Sequence, residues 1–88
     1  MKINTSETTR QITLYDDSTI EQTIYRVNRR ICCFIEEYSD KYRVSLGKPS
    51  MADTLSWSYP KTEDGLHEAQ KKVKAIVDST ITWYQNIS

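Results

Sequence analysis

Glycine and proline are scarce in this chain. With two of each among 88 residues there is no glycine-rich loop to cradle a phosphate, and neither GxGxxG nor GxxxxGK[ST] occurs. Histidine is scarcer still. His67 is the single imidazole and there is no second cysteine pair, so the usual four-ligand zinc spacing is missing. His67 falls at the border of a polar helix face beside Asp64 and Glu68, where a histidine is solvated, and no motif places a nucleophile near it. Glu36 and Glu37 are adjacent and point in different directions along a helix, so they do not make a paired-carboxylate site. The inventory predicts a protein that is not an enzyme and has no catalytic residues, no metal and no cofactor.

An excess of charge of one sign is also lacking. Twelve basic side chains balance twelve acidic ones, which removes the overall attraction expected of a dedicated nucleic-acid or acidic-membrane binder. Nowhere do 18 apolar residues follow one another, and the opening MKINTSETTRQ has no apolar core of signal-peptide length. These features predict a soluble cytoplasmic protein with no membrane partner.

What the chain does contain fits one small core. A chain of this length makes one domain; the Thr-rich residues 1–9 are expected to be disordered and residues 10–88 to form a single compact domain. One core of this size supplies roughly 3–5 kcal/mol, so a homodimer or a bound partner would add stability that the chain needs.

The stretch ICCFIEE, residues 31–37, decides the expected fold. Neighbouring cysteines such as Cys32 and Cys33 do not meet ordinary disulfide geometry, and they read as small buried hydrophobes. Ile20, Ile24, Val27, Ile31, Phe34 and Tyr38 are spaced four, three, four, three, four, which places them on one stripe of an α-helix. Ser18 and Glu21 match the S-x-x-E capping box behind Asp16 and Asp17. The spacing predicts a helix over 19–40, with the cysteines on its flanks.

A second amphipathic helix is predicted in the C-terminal third. Leu66, Ala69, Val73, Ile76, Thr80, Trp83 and Ile87 repeat the three-four spacing, with Thr62 as a cap and Glu63 and Asp64 in the first turn. Between the helices the period changes to two. Tyr42, Val44 and Leu46, then Leu55, Trp57 and Tyr59, alternate with polar residues and predict a hairpin around the loop GKPSMAD. Ile12 and Leu14 in RQITLY suggest a further, shorter strand.

The resulting fold class is α+β, in the order β-α-β-β-α, with two amphipathic helices packed on a short antiparallel sheet. The alternative is an all-α helical hairpin or bundle, since both stripes also suit a helix-helix seam.

With catalysis set aside, binding remains. Six tyrosines and two tryptophans exceed what so small a core needs, and aromatic residues with a polar handle recur as interface anchors. The expected function is a protein-binding adaptor, inhibitor or regulatory accessory module. Trp83 and Tyr84 near the C-terminus are the first candidates for the contact, and Arg30 and Arg43 the second. The alternative is a nucleic-acid-binding regulator using Arg26, Arg29, Arg30 and Arg43, against which the zero net charge counts. A self-assembling homodimer is compatible with either.

Overall fold

The computed structural model describes residues 2–47 and 55–87. Five strands, β1 (Thr5–Thr13), β2 (Thr19–Val27), β3 (Arg30–Glu37), β4 (Lys41–Leu46) and β5 (Ser56–Pro60), lie side by side in chain order in one antiparallel sheet. One helix, α1 (Glu63–Ile87), follows them. The class is α+β, but the expected arrangement of two helices on a short sheet is overturned, and so is the all-α alternative. Residues 19–40 form the β2–β3 hairpin instead of a helix. β1 also takes in residues 5–9, where the sequence suggested no structure.

The apparent helical stripe has a physical explanation. Ile20 and Ile24 are four apart, and four is a multiple of the strand period as well as close to the helical one. After Val27 the chain reverses, so the spacings that cross the turn carry no helical meaning. The position between the two isoleucines on that face of the strand is Gln22, fully buried, and its cross-strand partner Glu36 is 9% exposed. Polar side chains at two buried positions break the apolar alternation that identifies a strand. The supposed capping box is part of a hairpin loop: the Ser18 amide and hydroxyl both donate to Asp16 Oδ1, and Asp17 takes a left-handed φ of 65°.

The β2–β3 connection is a two-residue turn over Asn28 and Arg29, with φ of 53° and 71°. Positive φ at both central residues suits the right-handed twist of a hairpin, and asparagine followed by glycine is the usual solution. Here arginine stands where glycine is expected, so the turn gives little signal in the sequence. Arg29→Gly is accordingly expected to stabilise the protein by about 0.5–1 kcal/mol, since relief of the left-handed strain exceeds the entropy that glycine adds to the unfolded chain; a thermal melt beside the parent protein measures it.

The core lies between the sheet and α1. Alternation along the paired strands sets Tyr25, Cys33 and Leu46 in one row, Ile35, Val44 and Trp57 in the next, and Tyr42 with Tyr59 in a third. Ala69, Val73, Ile76 and Val77 of α1 pack against them, and Cys33, Val44 and Ala69 have no exposed surface. Thr62 Oγ1 accepts the Gly65 amide at 3.0 Å and starts the helix, while Lys72 Nζ stands 4.0 Å over the Trp57 ring and closes the core edge. Gly47 begins the expected GKPSMAD loop with φ 74°; residues 48–53 of that loop lie outside the described residues.

Candidate functional site

α1 is longer than the sheet it covers. Twenty-five residues span about 38 Å at 1.5 Å per residue, whereas the six residues of β4 span about 20 Å. The consequence is visible along the helix. Gly65, Ala69 and Val73 in its first half are buried, Ile76, Val77, Thr80 and Ile81 are half-buried, and Trp83 and Ile87 are 56% and 59% exposed.

A β-bulge fixes where the helix leaves the sheet. The β2–β3 register shifts between Tyr25 and Arg26, and Cys32 stands opposite that shift. The extra residue turns Cys32 toward α1, on the side that Cys33 already faces. Cys32 Sγ lies 3.1 Å from Thr80 Oγ1, and the Thr80 hydroxyl also donates to the Ile76 carbonyl at 2.9 Å. Both thiols are free. A hydrogen bond from Cys33, opposed by burial and assisted by Thr80, draws the Cys32 thiol down to about 6, and the same bond together with burial pushes Cys33 up. His67 lies three turns away along the helix and is exposed, so no imidazole stands beside the thiols to serve as a base.

Beyond Thr80 the helix runs toward the end of the sheet that holds the β2–β3 turn. Trp83 and Tyr84 meet edge to face there, with centroids 5.0 Å apart and ring planes at 75°. Trp83 and Ile87, four residues apart, share a helix side. Arg29 and Arg30 are exposed at this same end. The structure thus brings three of the sequence candidates, Trp83, Tyr84 and Arg30, to one end of the molecule and adds Ile87.

Arg43 does not join them. It belongs to a polar row on the sheet face opposite α1, running Arg10, Gln22, Glu36, Arg43 and Ser58 across all five strands. Arg10 Nε donates to Gln22 Oε1 at 3.0 Å, Gln22 Nε2 donates to Glu36 Oε2 at 3.2 Å, and the Tyr38 hydroxyl donates to Glu36 Oε1 at 3.2 Å. Burial raises the Tyr38 hydroxyl first and the Glu36 charge second, and a hydrogen bond with Arg43 acts against both. Arg26 is also engaged within the sheet, 3.4 Å from Thr8 Oγ1. Of the four arginines of the nucleic-acid reading, Arg26 and Arg43 are therefore committed to the sheet face opposite α1, and Arg29 and Arg30 stand at the turn.

Ile87 is the residue that sequence reasoning missed, because its place in the stripe assigned it to the core. A length argument finds it: strands of five to nine residues cannot cover seven turns of helix. Among the described residues no group of three or more His, Cys, Asp or Glu side chains could hold a metal ion, and no helix is long and apolar enough to cross a membrane. Comparison of the chain with protein-family models, with curated proteins and with solved structures returned no match.

Proposed function

We propose that the protein is a binding module that docks a protein partner on the last turns of α1. The observation that carries this reading is the continuation of the apolar helical stripe past the sheet, which leaves Trp83 and Ile87 more than half exposed on one side. An anchor of this kind seats in an apolar groove, and the exposed Arg29 and Arg30 at the same end favour carboxylates on the rim of that groove. No reacting group is required of this surface; it acts by covering part of the partner.

The nucleic-acid reading retains Arg29 and Arg30, since Arg26 and Arg43 have partners inside the fold. Two phosphate contacts would give a shallow salt dependence and weak binding, so the protein reading is preferred. The test is affinity capture with the tagged, nuclease-treated protein and its Trp83→Ala variant, followed by affinity measurement on the recovered partner. Trp83→Ala is expected to weaken binding by about 2 kcal/mol while its circular-dichroism melt stays close to that of the parent. A folded Trp83→Ala protein with unchanged affinity, or capture abolished by nuclease, would overturn the proposal.

A further inference from the structure

The sheet has two edges, and they are built differently. β5 is five residues long, ends in Pro60 and is packed by α1. β1 is nine residues long, exposed almost throughout, and pairs with β2 over nine consecutive positions without a register shift. Among the described residues α1 packs against β2, β3, β4 and β5 and does not reach β1. The strand TSETTRQIT contains no proline, no lysine and no bulge, the devices that normally stop an edge from recruiting another strand. It is also rich in threonine, which suits a pleated surface.

The hydrogen-bond phase of β1 is fixed at both of its ends. The Asn28 amide donates to the Asn4 carbonyl at 2.8 Å, and the Leu14 amide donates to the Ser18 carbonyl at 2.8 Å. Narrow, hydrogen-bonded pairs alternate with wide ones along an antiparallel ladder, so the even-numbered residues of β1 turn their backbone groups toward β2. The N–H and C=O groups of Thr5, Glu7, Thr9, Gln11 and Thr13 point outward at the free edge.

We propose that this edge pairs antiparallel with the same edge of a second copy of the chain, about a two-fold axis at Thr9, making one continuous ten-stranded sheet with both helices on the same face. Three features select the second copy and this register. A two-fold axis normal to the sheet must pass midway between a residue and its own copy, and Thr9 is the middle of the strand, so only this choice pairs all of β1, setting Thr5 opposite the partner's Thr13 and Glu7 opposite the partner's Gln11. The outward-facing residues then meet one another, and each exchanges both of its backbone bonds. The charges also agree: Glu7 and Arg10 face neutral residues, whereas an axis at residue 7 or 10 would oppose like charges.

Side chains extend the same pattern. Thr9 Oγ1 already lies 3.0 Å from Thr23 Oγ1 across the β1–β2 pair; the two-fold axis continues this into a row of four threonines. Assembly stops at two copies because the remaining outer edges are both β5, which Pro60 blunts. This contact is separate from the α1 surface proposed above, and Trp83→Ala leaves it intact.

Sedimentation of the full chain over a concentration series tests the proposal, together with two variants. Thr9→Pro removes an outward N–H and no bond to β2, so it is expected to fold as a monomer, with dimer association weakened at least tenfold. Thr9→Cys is expected to give a disulfide-linked dimer under oxidised glutathione, because the two Cα atoms at the axis stand about 5.5 Å apart, whereas wild type and Thr13→Cys stay uncrosslinked. A monomeric wild type, a folded Thr9→Pro variant that dimerises as the wild type does, or crosslinking of Thr13→Cys as readily as Thr9→Cys would overturn it. Should Thr9→Pro fail to fold, the two cysteine variants decide.

Discussion

Gly65→Ala is expected to destabilise the protein by roughly 2–3 kcal/mol, in the range of an overpacked contact, although alanine is intrinsically the better helix former by about 1 kcal/mol. Gly65 lies in the first turn of α1 and is buried. A methyl group there would collide with the Pro60 carbonyl oxygen and come within 2.9 Å of its carbon. Both atoms are backbone, so no side chain can swing aside. The carbonyl is also held by the Thr62 amide at 2.8 Å. The first turn must therefore lift from β5, and Ala69 and Val73 lose contact with Val44 and Cys33. A urea melt gives the loss directly, and near-ultraviolet circular dichroism at Trp57 reports the displacement of Lys72. A variant as stable as the parent would mean that α1 does not dock through its first turn.

Gln22→Leu is expected to cost a similar 2–3 kcal/mol, the penalty of leaving buried polar groups without partners. Gln22 has no exposed surface, and its amide orientation is fixed by Arg10 on one side and Glu36 on the other. Leucine fills the space but leaves the Glu36 carboxylate with one fewer donor and Arg10 with one fewer acceptor. Replacing both Gln22 and Glu36 by leucine is expected to recover much of the loss, because an apolar pair needs no partner. The double-mutant cycle, followed by urea unfolding, should give a coupling of at least about 1 kcal/mol. Additive losses would show that the two side chains do not depend on each other.

The same row explains how far the sequence could be read. The C-terminal helix was legible because its apolar positions repeat at the helical period over a long stretch and Thr62 caps its start. The strands around Val44 and Trp57 were legible because they alternate cleanly, one polar face against one apolar face. β2 and β3 were not, because Gln22 and Glu36 occupy buried positions on the face opposite α1 and satisfy each other there, a pairing visible only once the strands are side by side. The turn between them was hidden by Arg29, a residue seldom found at positive φ. Of the candidate surface, Trp83, Tyr84 and Arg30 could be singled out from residue type and position. Their gathering at one end depends on the direction in which α1 crosses the bulge at Cys32, and no local pattern records that direction.

The meander has a kinetic consequence. Every strand pairs with its neighbour in sequence, so each ladder closes a short loop and none waits for distant parts of the chain to meet. The two-residue turn at Asn28 and Arg29 closes the shortest of these loops, and the β2–β3 hairpin is placed to form early, on the microsecond scale of isolated hairpins. Docking of α1 follows, since the rows it covers exist only after β3, β4 and β5 have zipped together. Substitutions at the helix-sheet contact therefore act mainly on the rate at which the native protein opens, and substitutions in the β2–β3 turn on the rate at which it forms.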